Sequence, residues 1–262
     1  MHADPGERPG PSVELERLYP NPRTITVGEL LGSLALERFA GSDRPYTIAN
    51  FVESVDGRAA FQGRSGPLGS DVGDRSLFHG LREIVDAVLV GSRTLGTERY
   101  GRMTRDPERR QRRVAAGLSP EPLAVTVTRS GELSQDIPLF EEPEARIAVF
   151  AQTAVDTSRT AANVQVHRLD PGEMTMTTAL RRLRVDHGVR VLLCEGGPTI
   201  FGALVEENLV DELFLTVAPS LTGGGTAPAI TSGPGLAELR EVTLAWALER
   251  AGTLFLRYQF ER

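Results

Sequence analysis

The sequence contains no lysine; all 29 of its basic residues are arginine. That excludes Schiff-base and pyridoxal chemistry on a lysine amine, and it excludes a Walker-type phosphate loop. Any cationic phosphate contact must come from arginine, whose planar fork suits the task. Cys194 is the only cysteine, so no intrachain disulfide is possible and too few thiols exist for a cysteine-built zinc site. No apolar run approaches membrane-spanning length. The opening stretch, residues 1–11, has neither the basic start nor the apolar core of an export signal, so a cytoplasmic protein is expected. A basic excess is also missing. The formal net charge of −6 argues against a general nucleic-acid binder and leaves room only for a local arginine patch around a small phosphorylated ligand.

The chain has 262 residues with ordinary apolar and charged fractions, enough for one large α/β domain or two small ones. Residues 1–23, rich in Pro, Gly and charge, read as a loosely held arm. Apolar positions at helical spacing from Thr26 to Phe39 predict a short amphipathic helix. Everything through residue 44 is expected to be an extension, with one domain over residues 45–262. In that domain short apolar runs alternate with helical stretches. Strands are expected at Tyr46–Val52, Ala87–Val90, Leu123–Val127, Ile147–Phe150, Val189–Cys194 and Leu213–Ala218. Helices are expected at Ser70–Val85, Thr177–His187 and Thr199–Asn208, the first capped by Ser70 or Asp71. Residues 241–248 and 253–260 read as an antiparallel pair around Ala251 and Gly252. The pattern predicts a mostly parallel sheet with helices on both faces and an antiparallel C-terminal hairpin. The arginine-rich stretch 102–117 reads as a solvated loop or helix.

Two strand-to-helix turns carry the strongest chemical signal. In the first, the buried run Val88–Val90 ends at Gly91, and Arg93 and Thr94 follow where a helix starts. Glycine permits close backbone approach, a helix start offers free N–H groups, and arginine pairs with phosphate. In the second, Val191–Cys194 runs into Glu195, Gly196 and Gly197, with Pro198 at a first helical position and Thr199 and Ile200 after it. Neither turn is the G-x-G-x-x-G fingerprint. Each alone is as readily a plain turn. Two of them ending strands of one sheet point to a dinucleotide lying beyond the carboxyl ends of the strands.

Ordered blocks extend this reading: Ser54-Val55-Asp56-Gly57, the stretch Leu81–Thr94 with Arg82 and Asp86, Glu195–Thr199, Leu209–Pro219, and Leu256-Arg257-Tyr258. Together they resemble the pyrimidine reductases of riboflavin biosynthesis, here without the zinc deaminase motif that usually accompanies them. The resemblance implies a dihydrofolate-reductase-like fold, NADPH as hydride donor, and a homodimer. It implies that Gly91, Arg93 and Thr94 lie near the adenosine 2′-phosphate, that Gly196 and Gly197 lie at the pyrophosphate with Thr199 and Ile200, and that Thr128, Arg129 and Ser130 contact the adenosine phosphates. The family's Asp-Asp-Pro loop after the residue matching Thr94 is replaced here by Leu95–Gly101. Glu98 stands in for one carboxylate at most, which leaves the substrate open.

Within that frame Glu195 either orients substrate at the cleft floor or caps the following helix. Asn50 bonds a pyrimidine edge or the backbone. Ser65 and Arg82 are candidates for a substrate phosphate, although Arg82 reads equally as an exposed helix charge. Asp71 matches the carboxylate by which dihydrofolate reductases bind and help protonate the pterin, or else it is a helix cap. Asp56 reads as a turn former. No metal site is expected, His79 and His187 lacking partners at ligand spacing. Three functions remain: reduction of 5-amino-6-ribosylaminouracil 5′-phosphate, reduction of dihydrofolate or another pteridine, and NADP(H) binding without turnover.

Overall fold

A computed structural model describes residues 9–261. Eleven strands form one sheet: β1 (Glu14–Tyr19), β2 (Arg23–Thr26), β3 (Tyr46–Ser54), β4 (Ala87–Leu89), β5 (Leu123–Thr128), β6 (Arg146–Ala151), β7 (Asn163–Arg168), β8 (Val191–Cys194), β9 (Glu212–Ala218), β10 (Val242–Arg250) and β11 (Thr253–Phe260). Their spatial order is β2-β1-β10-β11-β9-β3-β8-β4-β5-β6-β7. From β9 through β7 every neighbouring pair is parallel, whereas β9, β11, β10, β1 and β2 pair antiparallel. The helices are α1 (Val27–Gly32), α2 (Val72–Ile84), α3 (Ser92–Thr97), α4 (Pro107–Ala115), α5 (Pro138–Glu141), α6 (Met176–His187) and α7 (Pro198–Glu206).

Alternate side chains of the central strands supply two cores. Ile48, Val88 and Val149 face one way, against Leu30 of α1 and Leu77 and Leu81 of α2. Ala49, Leu89 and Phe150 face the other, against Leu180 and Leu183 of α6 and Phe201 and Leu204 of α7. Strands β4 and β8 are buried at every residue, as a strand covered on both faces must be. The expected layering is therefore present, and so is the C-terminal hairpin. Its turn residues Ala251 and Gly252 both have positive φ, 50° and 85°, the geometry that matches strand twist in a two-residue turn.

Several local readings change. The segment read as a loose arm contributes β1 and β2 from Glu14 onward, with β1 pairing to β10; the start of that arm, residues 1–8, lies outside the described residues. The single helix expected over residues 26–39 is two pieces. Helix α1 starts with a capping box between Thr26 and Glu29 and ends by residue 33. A 3₁₀ turn, Leu36–Phe39, follows after Ala35 at φ 43°. Strand β7 was not expected, because Val164 and Val166 alternate with polar residues on an exposed edge. The arginine-rich stretch contains α4, and it is not simply solvated. Arg113 is buried and donates to the carbonyls of Arg82, Glu83 and Val85 and to that of Ser119, closing the C-terminus of α2 that would otherwise expose unpaired carbonyls. Among the described residues no helix is long and apolar enough to cross a membrane.

Candidate active site

The sheet ends β3, β4 and β8 converge on a cleft of about 1010 Å³. It is lined from β3 by Asn50, from α2 by Asp74, Arg75, Phe78, His79 and Arg82, from the α3 region by Arg93, Thr94, Glu98 and Tyr100, and at its floor by Glu195 and Gly197.

The two glycine turns meet here. Gly91 N–H donates to the Gly196 carbonyl at 2.6 Å. A Cβ on Gly91 would sit 3.1 Å from Gly197 N, and one on Gly197 would sit 2.6 Å from the Thr94 hydroxyl, so only glycine lets the two backbones approach so closely. Gly196 has φ 97° and its peptide bond to Gly197 is cis. Neither α3 nor α7 has a side-chain cap, which leaves first-turn N–H groups available to an anion, most usefully on the longer α7. Arg93 is exposed and makes no ion pair among the described residues. Thr199 is exposed, its hydroxyl 3.1 Å from that of Ser232 in the 219–241 loop, and Ile200 is half-buried. Thr128, Arg129 and Ser130 stand at the end of β5, beside β4 in the sheet but away from the cleft lining; Thr128 is buried and the other two exposed.

Glu195 is not the cap of α7; that position is Gly197. Its carboxylate is instead buried and gripped from two sides. Arg82 donates through Nε to Oε1 and through Nη2 to Oε2, both at 2.6 Å, and the Tyr100 hydroxyl donates to Oε2 at 3.0 Å. Arg82 further donates to the Met103 carbonyl at 3.1 Å and lies 4.2 Å from the centre of the Phe78 ring. A bidentate pair of this kind is strong and directional. Burial alone would lower the Arg82 pKa, but the Glu195 carboxylate more than reverses this and raises it. Burial and the same carboxylate push the Tyr100 phenol well above its ordinary value. Arg82 is therefore neither an exposed helix charge nor a free phosphate ligand; it is spent on Glu195. Of the four acceptor positions on a carboxylate, Arg82 and Tyr100 use three, and the one left is on Oε1.

Asp71, the expected pterin-type carboxylate, does not line the cleft. It caps α2, accepting from Gly73 N–H at 2.7 Å, and pairs with Arg250 at 3.0 Å. The carboxyl that reaches the cleft from this helix is Asp74. Ser65 and Glu98 do come together, the Ser65 N–H and hydroxyl both donating to Glu98 Oε1 at 3.0 and 3.2 Å. Asn50 is half-buried, and its side chain makes no hydrogen bond to the described residues. Asp56 accepts from the Ser54 hydroxyl and from the N–H groups of Thr222 and Gly223, which hold its pKa down at about 2; it shapes its turn and also ties down the 219–241 loop that brings Pro228 to the cleft. Among the described residues no cluster of three potential metal ligands exists. His187 does have a partner, His167, at 2.8 Å.

Residues 45–253 match the family model described as the RibD C-terminal domain. The chain belongs to that family. A 2,5-diamino-6-ribosylamino-4(3H)-pyrimidinone 5′-phosphate reductase from Archaeoglobus fulgidus is 28% identical over 191 residues, covering 72% of this chain and 87% of that protein. The riboflavin biosynthesis protein RibD of Mycobacterium tuberculosis is 32% identical over 183 residues, covering 69% of this chain but 44% of that longer protein. Among solved structures, a pyrimidine reductase-like protein from Corynebacterium diphtheriae superposes with a TM-score of 0.71 at 23% identity, covering 88% of this chain and 96% of that one. The family's dihydrofolate-reductase-like fold is thus the fold of this chain.

Proposed function

We propose that this protein reduces the sugar carbon of a ribosylaminopyrimidine 5′-phosphate with NADPH, in riboflavin biosynthesis. The observation that carries the reading is the single cleft in which two abutting glycine turns stand beside a buried, doubly held carboxylate. The names of relatives from A. fulgidus and Methanothermobacter thermautotrophicus, both 2,5-diamino-6-ribosylamino-4(3H)-pyrimidinone 5′-phosphate reductases, support it. The uracil analogue differs at one ring substituent, and turnover of each decides between them.

The residues present fit a dinucleotide. The paired glycines form a cradle that a Cβ would fill, the α7 N–H groups suit a pyrophosphate, and Arg93 with Thr94 suits a 2′-phosphate, which favours NADPH over NADH. When bound, that group supplies the hydride; the protein positions donor and acceptor. Glu195 is fixed by Arg82 and Tyr100 so that its remaining Oε1 position accepts from a substrate hydroxyl or amine. Asn50 offers both a donor and an acceptor to the pyrimidine edge. The substrate phosphate falls to Arg75 and Arg105, which line the cleft and make no ion pair among the described residues. Burial, and after it the charges of Arg82, Arg109, Arg75 and Arg105, drive the His79 pKa down to about 4; Arg82 and Arg109 are paired with carboxylates, which leaves Arg75 and Arg105 as the uncompensated charges.

The pteridine reading rested on Asp71, which is engaged elsewhere, and on the altered loop Leu95–Gly101, which still sets this chain apart from the family pattern. The division into an extension through residue 44 and a reductase domain from residue 45 is part of the proposal; the family match beginning at residue 45 supports it. A homodimer and a cytoplasmic location are proposed on the family resemblance. The test is NADPH oxidation by purified protein with each pyrimidine phosphate and with dihydrofolate. Turnover with a pyrimidine phosphate alone supports the assignment, and turnover with dihydrofolate alone replaces it.

A further inference from the structure

We propose that Asp74 is the proton donor of the reaction, delivering a proton to the ring oxygen of the ribosylamine as the sugar opens; this rests on the pyrimidine reductase reading above. In a closed ribosylamine the carbon that takes the hydride is bonded to the ring oxygen. Opening breaks that bond, its electron pair stays on the oxygen, and the nitrogen lone pair forms a C=N bond. The proton of the Asp74 carboxyl goes to the oxygen. Hydride from a reduced nicotinamide then adds to the carbon, and the C=N pair returns to nitrogen. Substrate, reduced nicotinamide and one proton give the ribitylamine and oxidised nicotinamide, and solvent reprotonates Asp74.

The assignment follows from comparing the acids that face the cleft. Glu195 is held at both oxygens by Arg82 and at one by the Tyr100 hydroxyl. Glu98 accepts two hydrogen bonds from Ser65, and Asp106 caps α4. Burial, and after it the four arginines around it, disfavour the protonated form of His79, and the Tyr100 phenol is too weak an acid. Asp74 differs from all of these. It lines the cleft, is only 8% exposed, and makes no ion pair among the described residues. Its hydrogen-bonding partner is the neutral Thr216 hydroxyl on β9, which lies opposite Val52 of β3 in the sheet register. The charged groups nearby are Asp71 and Arg75 on α2 and, from β10, Arg250, which pairs with Asp71; β3 and β9 present uncharged Val52 and Thr216. Burial first, and the Asp71 charge after it, raise the Asp74 pKa to about 6 against the hydrogen bond from Thr216. A carboxyl in that range keeps a minor protonated fraction near neutrality, which grows toward pH 6, and it releases its proton readily.

The test uses the full chain, wild type, Asp74→Asn and Asp74→Glu. Protection by NADPH against thermal unfolding first establishes that each variant folds with its cofactor site intact. Single-turnover reduction of the pyrimidine phosphate is then followed from about pH 5 to about pH 9. The wild-type rate is expected to fall with a limb near pH 6, approaching tenfold per pH unit. Asp74→Asn is expected to be slower by about a hundredfold or more and to lack that limb, and Asp74→Glu to keep it. A carboxyl carbon resonance titrating near 6 in wild type and absent from Asp74→Asn is expected independently of turnover. Asp74→Asn within about threefold of wild type with the limb intact, or an Asp74 resonance titrating in the ordinary carboxylate range, overturns the donor role while leaving the reductase reading standing. A wild type inert toward pyrimidine phosphates overturns both.

Discussion

Asp74 makes a prediction about stability that needs no substrate. Its folded pKa, about 6, exceeds its ordinary value of 3.8. Below about pH 4 the carboxyl is protonated in folded and unfolded chains alike and contributes nothing to the pH dependence. As pH rises through the interval between the two values, the unfolded chain releases its proton first and stability falls. Above about pH 6 the full penalty is in place. Two pH units at about 1.4 kcal/mol each set that penalty at about 3 kcal/mol. Asp74→Asn removes the charge, keeps an acceptor for Thr216, and should therefore stabilise the protein at neutral pH. For a chain of this size the gain is a rise in Tm of about 5 °C or more near pH 7, vanishing near pH 4. Differential scanning calorimetry of both proteins across that range measures it. An equal Tm difference at both ends of the range, or a less stable variant at neutral pH, would refute the reasoning. A group that lowers stability and yet faces the cleft is what a stability–activity trade-off leaves behind.

Replacing Arg82 by Met strands the buried Glu195 carboxylate and should cost about 3–5 kcal/mol in urea unfolding. Adding Glu195→Gln should recover much of that loss while leaving turnover abolished; additive losses would contradict the coupling. Gly197→Ala drives a Cβ against the Thr94 hydroxyl and should weaken NADPH about tenfold or more, about 1.4 kcal/mol, by isothermal titration; unchanged affinity would remove the glycine turn from the cofactor site. Arg93→Ala should cost NADPH about 1.5–3 kcal/mol as a charge-assisted contact while leaving NADH affinity unchanged, so equal losses for both nucleotides would rule out a 2′-phosphate contact.

The central strands were legible because burial on both faces leaves little but apolar residues, and Ala87–Leu89 and Val191–Cys194 are short runs that each end just before a glycine turn. The glycine turns were legible for the opposite reason, since glycine before a helix start marks close backbone approach, and Gly91 and Gly196 do meet. The edge strands β2 and β7, and β1 next to β2, were not, because a strand exposed on one side needs few apolar residues and those of β1 sit amid charge. Glu195 and Arg82 were each picked out, yet nothing in their spacing announced that they bond each other across 113 positions of sequence. Of the α2 wall only Arg82 was singled out for the site, although the signal for the rest was present. Asp74, Arg75, Phe78, His79 and Arg82 recur at helical spacing and form one stripe, but Asp71, at the N-cap, is the carboxylate that the helix start marks in the sequence. Tyr100 could not have been found, because its position depends on how the loop after α3 folds back over the cleft.

The most direct test of the account is a turnover assay. Purified protein is mixed with NADPH and 2,5-diamino-6-ribosylamino-4(3H)-pyrimidinone 5′-phosphate, and the ribitylamino product is identified by mass and by transfer of deuterium from labelled cofactor to the sugar carbon. The account predicts stoichiometric deuterium transfer that is lost in Glu195→Gln. NADPH binding without any transfer to this substrate or its uracil analogue would contradict it.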